Sequence, residues 1–401
     1  MPAPRKFLLA STTLPLQLDW GWNVSVYLAM LLGLLGLIML LLWMLIKQLR
    51  HSVGKATLQL ARSFRQLPAN TSNAAAAAAS AQELRHAYRG SVRPFVNFDA
   101  KHDAEILHRA MKGLGTDEDV VLMLLAARSN DQRQQIKAAY KTAYGKDLVG
   151  ALKSELGGLF ERLVVALMTP PVLYDATLLH KAIKGVGTDD DVLIEILASR
   201  SGPRLRDVDM VYKREFGNKL EKDICSDTSG YYQRLLVILL QGSREEGVNE
   251  ANIEKDAKDL YAAGVGKFGT DEEKFINILG NRSAEHLRKV FAAYRKLCAS
   301  DIEDSVEGET TGNLENLLLA VVKCTRHLPS FFAESLYKSM RRAGTDDDTL
   351  MRIAVSRSEE DMLDIAACFK DRYGASLHDA VQEDTSGAYQ KCLLYLCGPK
   401  N

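Results

Sequence analysis

Between residues 98 and 400 no strand-like alternation of apolar and polar residues holds, which excludes a sheet-built domain and leaves an all-α reading. Catalytic signatures are missing as well. There is no H-E-x-x-H and no G-x-S-x-G, so no hydrolase site is signalled and the chain is read as not an enzyme. The stretch "GVGKFGT" lacks the Gly-x4-Gly-Lys-Ser/Thr spacing of a phosphate loop. Six cysteines, at 225, 298, 324, 368, 392 and 397, form no C-x-x-C pair, which leaves neither a zinc nor a dithiol motif. Net charge is zero, 51 Lys+Arg against 51 Asp+Glu. That balance hides a split, since residues 1–94 hold ten basic residues and two acids while the remainder holds 41 and 49. No basic stripe with interleaved aromatics stands out, so no nucleic-acid partner is expected.

What the chain does have is a repeated loop. "MKGLGTDED" (111–119) returns as "IKGVGTDDD" (183–191), "GKFGTDEE" (266–273) and "MRRAGTDDD" (340–348). With Gly115, Gly187, Gly269 and Gly344 as anchors, an Arg-Ser pair starts thirteen residues on, at Arg128, Arg200, Arg282 and Arg357. An aromatic follows at twenty-five, Tyr140, Tyr212, Tyr294 and Phe369, and a carboxylate at forty, Glu155, Asp227, Glu309 and Asp384. Four landmarks in register through four copies, spaced 72, 82 and 75 residues apart, define an internal repeat of bundle-sized units. After each anchor comes a threonine with an acid three residues later: Thr116/Asp119, Thr188/Asp191, Thr270/Glu273 and Thr345/Asp348. This is a capping-box pattern that predicts the start of a helix at the threonine. Runs such as "VVLMLLAARS" and "RQQIKAAYKTAYG" are apolar at helical spacing.

The end of a helix carries unpaired carbonyls and partial negative charge, and glycines beyond it let several oxygens converge. A hard cation suits such a loop, and calcium takes six to eight oxygens in loose geometry. The carboxylate forty residues on adds a further oxygen if the fold returns it to the loop. A single Gly-Thr-Asp would be an ordinary turn, but four copies with a fixed distant acid favour the metal. The acids are not interleaved as in an EF-hand.

Together with "DTSGYYQRLLVILLQ", "ENLLLAVVKC" and the ending "LLYLCG", these loops resemble the annexin family over about residues 98–400. The resemblance implies a curved disc of four repeats (98–169, 170–242, 253–325 and 329–400), each of about five helices. It also implies calcium loops on one face that bridge to anionic phospholipid, phosphatidylserine included, with self-association on the membrane as a further expectation. Carried over residue by residue, the calcium ligands are carbonyls of Met111, Gly113 and Gly115 with the carboxylate of Glu155. The second set is Ile183, Gly185 and Gly187 with Asp227. The third is Gly264, Lys267 and Gly269 with Glu309, in a longer loop, and the fourth is Met340, Arg342 and Gly344 with Asp384. Arg342 stands where the family has glycine. Phe268 stands where a tryptophan is found in the family, and is expected to meet lipid. The first repeat has "ELGG" where the others have "DTSG", "ETTG" and "DTSG".

The N-terminal part is of another kind. Residues 24–46 carry no charge over 23 positions, and as a helix they span roughly 35 Å, enough to cross a bilayer. Trp20, Trp22 and Tyr27 mark one end and Trp43 the other, as an aromatic belt does. A cleaved signal peptide fits less well, because the apolar run is too long and no A-x-A-like site follows. Basic residues after the span, Lys47, Arg50, Lys55, Arg62 and Arg65, place the repeats in the cytosol. Residues 47–67 are expected as a basic amphipathic helix on anionic lipid, and 68–94 as a low-complexity linker. The leading expectation is a calcium-dependent phospholipid-binding core tethered by a transmembrane helix. The alternatives are an anchored scaffold that binds little calcium, and a fusion of a soluble annexin with an unrelated membrane segment.

Overall fold

The computed structural model describes residues 89–400, apart from 114, 186, 265–270, 299 and 342–343. The expected span 24–46 and amphipathic helix 47–67 lie outside the described residues. Among the described residues no helix is long and apolar enough to cross a membrane, and none lies in a strand.

The first repeat comprises α1 (Ala100–Ala110), α2 (Glu118–Ala126), α3 (Asn130–Tyr144), α4 (Leu148–Glu155) and α5 (Gly158–Leu167). The second comprises α6 (Pro171–Lys184), α7 (Asp190–Ser199), α8 (Gly202–Phe216), α9 (Leu220–Asp227) and α10 (Gly230–Gln241). The third begins with α11 (Ile253–Ala263), α12 (Glu272–Asn281), α13 (Ala284–Cys298) and α14 (Ile302–Glu309). Its last helix runs on into the fourth repeat as α15 (Gly312–Arg341), which is followed by α16 (Asp347–Arg357), α17 (Met362–Tyr373), α18 (Leu377–Asp384) and α19 (Gly387–Cys397). Inside α15, His327 leaves helical geometry (φ −157°, ψ 98°) two residues before Pro329. A proline has no N–H to donate and its ring crowds the preceding turn, so the hydrogen-bonded rod is two helices joined at a kink, and each repeat has five.

The repeats bury their apolar faces in pairs. One core joins the second and third repeats, with Leu193, Tyr212, Leu236, Phe275, Tyr294 and Leu318 at its centre. The other joins the first and fourth, around Leu107, Leu125, Leu163, Phe332, Ile353 and Leu393. The aromatic landmark sits in these cores: Tyr140, Tyr212, Tyr294 and Phe369 are all buried. The hydroxyl of Tyr212 donates to Asp223 at 2.8 Å and that of Tyr294 to Ser305 at 2.7 Å, since a buried phenol needs a partner.

The arginine landmark is structural. Arg128 reaches Asp103 with two nitrogens at 2.6 and 3.0 Å. Arg200 pairs in the same way with Asp175 at 3.2 and 3.0 Å, and Arg282 with Asp256 at 2.7 and 3.1 Å. In the fourth repeat Phe332 occupies the position of the acid. Arg357 lies 4.8 Å from that ring and turns instead to Asp361 at 2.8 Å.

Within residues 89–94, expected as the end of a linker, Gly90 and Val92 are buried. The Leu363 N–H donates to the Arg89 carbonyl at 3.0 Å and the Val92 N–H to the Ser358 carbonyl at 2.9 Å. Phe95 continues onto the first repeat, where its N–H donates to Gln132 Oε1 at 2.9 Å and Arg128 lies 3.8 Å over its ring. The stretch ties the fourth repeat to the first.

Candidate metal-binding loops

Each loop is closed at its base by one backbone bond. The Asp117 N–H donates to the Ala110 carbonyl at 2.9 Å, Asp189 to Ala182 at 2.9 Å, Asp271 to Ala263 at 2.7 Å and Asp346 to Ser339 at 2.8 Å. Gly113 and Gly115, Gly185 and Gly187, Gly264, and Gly344 stand between these closing bonds. Gly115, Gly187 and Gly344 have φ of 90°, 82° and 98°, a region that L side chains rarely enter. A β-carbon at any of the three would meet nothing within 4 Å, so the backbone angle and not crowding requires glycine there. Gly185 is extended, at φ −72° and ψ −178°.

Contrary to the capping-box pattern, Thr116, Thr188 and Thr345 do not cap the following helices. The N-caps are the next residues: Asp117 accepts from the Val120 N–H at 3.1 Å, Asp189 from Val192 at 3.2 Å, Asp271 from Lys274 at 3.3 Å and Asp346 from Thr349 at 3.1 Å. A carboxylate is as good an N-cap as a hydroxyl, and the threonine has another partner. Thr116 Oγ1 donates to Glu155 Oε2 at 2.8 Å, Thr188 donates to Asp227 Oδ2, and Thr345 donates to Asp384 Oδ2 at 2.7 Å. The fold therefore returns the acid at position forty to its own loop in these repeats. In the third, Thr270 lies outside the described residues, as do Lys267, Phe268 and Gly269. A β-carbon at Gly264 would stand 3.2 Å from Glu309 Cγ, so that acid also lies against its loop. Arg342 too is outside the described residues, while Met340, Gly344 and Asp384 are within them.

The acid after each threonine is thus a cap. The later ones link neighbouring repeats. Asp119 pairs with Lys391 of α19 at 2.7 Å, Asp348 pairs with Arg162 of α5, and Glu273 pairs with Arg234 of α10. In the second repeat Asp190 accepts from Tyr232 at 2.7 Å and from Asn313 of α15 at 2.6 Å. Sequence reasoning missed these roles, and the signal for them was the basic or amide residue in the last helix of the paired repeat. The "ELGG" departure changes nothing at the backbone: Gly158, Gly230, Gly312 and Gly387 have φ of 61°, 63°, 67° and 67°.

In the first, second and fourth repeats the loop threonine thus holds one carboxylate beside its loop. Among the described residues no three His, Cys, Asp or Glu side chains stand together as a metal cluster. Oxygen donors without thiolate or imidazole suit a hard cation that completes its shell with water or an anionic ligand.

A family model described as Annexin matches residues 102–167, 174–239, 255–321 and 331–396. Annexin A5 of Macaca fascicularis is 55% identical over 312 residues, which cover 77% of this chain and 98% of that protein. The solved structure of annexin III superposes with a TM-score of 0.77 at 46% identity, covering 78% of this chain and 98% of that one. A calcium-bound annexin (Sm)1 superposes with a TM-score of 0.70 at 35% identity, covering 78% and 94%.

Proposed function

This chain belongs to the annexin family, and from that premise we propose that its loops bind calcium and, through it, anionic phospholipid. It is a binding protein and not an enzyme. The observation that carries the proposal is the pairing of each described loop threonine with the carboxylate 39 residues later. In this reading Met111, Gly113 and Gly115 supply carbonyls beside Glu155. Ile183, Gly185 and Gly187 do so beside Asp227, Gly264, Lys267 and Gly269 beside Glu309, and Met340, Arg342 and Gly344 beside Asp384. Calcium supplies the positive charge that the acidic repeats lack. The lipid phosphate, with phosphatidylserine the favoured headgroup, completes its shell. Four such sites act by avidity, since each docked site raises the local lipid concentration for the next. The test is liposome sedimentation against calcium, with Glu155, Asp227, Glu309 and Asp384 all changed to Ala. Lost or right-shifted calcium dependence supports the assignment, and an unchanged curve removes it.

The uncharged run 24–46 supports a second element, a membrane tether that leaves calcium to decide only whether the loop face docks. The family match begins at residue 102, so this element rests on sequence alone. A core that works without a tether fits the comparisons better, because relatives match over 97–98% of their own length without it. An alkaline carbonate wash in chelator separates the two. A tethered full chain stays in the pellet, while a chain starting at Arg89 washes off; if both wash off, there is no tether.

A further inference from the structure

The kink of α15 carries a pair of side chains that the loops do not use. Cys368 Sγ on α17 lies 3.8 Å from His327 Nδ1, and the same nitrogen is 2.8 Å from Ser330 Oγ. His327 is the residue that leaves helical geometry within α15. His327 lines a cavity of about 280 Å³ with Lys323, Arg326, Arg372, Glu303 and Glu334, and Cys368, itself not in that lining, reaches the cavity through this imidazole. The acids are engaged by these cations: Arg326 pairs with Glu303 and with Asp301, while Lys323, Lys338 and Arg372 reach Glu334 at 2.9, 2.8 and 3.1 Å. Each guanidinium has five N–H donors, which leaves donors for an incoming anion. The other thiols differ: burial pushes the Cys324 thiol well up, and Cys298 Sγ donates to the Tyr294 carbonyl at 3.4 Å. Burial pushes Cys392 and Cys397 up to about 12, and Cys225 is exposed with no imidazole in contact among the described residues.

We propose that Cys368 and His327 form a thiol-exchange site for anionic, disulfide-bonded peptides of the glutathione class. His327 Nδ1 takes the thiol proton, and the thiolate is the species that attacks. Its sulfur bonds to one sulfur of the disulfide as the original S–S bond breaks. The leaving thiolate carries away the bonding pair and takes up the proton held by the imidazolium. One disulfide and one thiol are consumed, and one mixed disulfide and one thiol are formed. Arg326, Arg372 and Lys323 hold the carboxylates of the peptide. The adduct then sits where the third repeat joins the fourth.

The test treats the full folded chain with glutathione disulfide, quenches it with acid and maps the adducts by peptide mass spectrometry. Cys368 is expected to react about tenfold faster than the exposed Cys225. His327→Gln, which can keep a hydrogen bond to Ser330 but cannot accept the proton, is expected to bring Cys368 down to the rate of Cys225. Far-UV circular dichroism melts check that the variant is folded, and the Cys225 rate in the same sample is an internal control. With uncharged hydroxyethyl disulfide the preference for Cys368 is expected to shrink several-fold. If Cys368 reacts no faster than Cys225, or if folded His327→Gln reacts as fast as the native chain, the site is wrong. Equal preference for both disulfides overturns the cationic recognition.

Discussion

The hydroxyl of Thr345 donates to the carboxylate of Asp384 at 2.7 Å and to its backbone carbonyl at 3.1 Å. This pair holds one oxygen donor beside the fourth loop before any ion arrives. Thr345→Val keeps the shape and deletes the donor. A hydrogen bond to a charged group contributes about 1.5–3 kcal/mol, and part of that orients the acid. Thr116→Val, Thr188→Val and Thr345→Val together are expected to move the calcium midpoint of liposome binding up several-fold. Thr142→Val, which loses only a bond to the Ala138 carbonyl, is expected to leave it in place. Equal midpoints for both variants would remove the orienting role.

Gly115→Ala and Gly344→Ala test the loop backbone itself. Open space around both positions leaves the positive φ as the cost, about 1–2 kcal/mol per site. Either the loop keeps its shape and the denaturation midpoint falls by that amount, or it relaxes and calcium binding at that loop weakens. Titration and chemical denaturation on the same samples read both, and no change in either would contradict the glycine requirement.

Arg352 and Glu195 join the fourth repeat to the second through a 2.9 Å ion pair, with side chains only 4% and 5% exposed. Arg352→Met leaves Glu195 buried without its counter-charge, which costs about 3–5 kcal/mol. Adding Glu195→Met is expected to recover much of the loss, because the stranded charge is then gone. Urea denaturation of the single and double variants measures it, and a double variant less stable than the single would refute the argument.

Glu334 receives Lys338 at 2.8 Å, Lys323 at 2.9 Å and Arg372 at 3.1 Å. Burial alone would raise its carboxyl, but Lys338 and Lys323 outweigh burial and hold it down at about 2. The folded value lies below the ordinary 4.5, so the contribution is complete above that value and is lost as pH falls towards 2. Glu334→Gln is expected to lower stability at pH 7 and to flatten the loss between pH 5 and 2, as read by urea midpoints against pH.

The sequence by itself determined the all-α class, the fourfold repetition and the register of the distant acid, because helical periodicity and fixed spacing are local properties of the chain. The kink at His327 came only with the structure, although Pro329 two residues on is the local cause of it. Which repeats share a core was not legible: all four bury similar apolar faces, and only the tertiary arrangement joins the first with the fourth and the second with the third. The work of each loop acid was hidden for the same reason. Asp117 and Asp119 are two residues apart, yet one caps α2 and the other meets Lys391, 272 residues away. Thr116 was misread as a cap because the local pattern allows it, whereas the position of Glu155 after folding gives its hydroxyl a charged acceptor. Arg357 shows the limit most plainly, because its landmark position survives while its partner has moved from the first helix of the repeat to Asp361. Spacing along the chain is set by sequence, but which side chain answers a charge is set by what the fold places within about 3 Å of it.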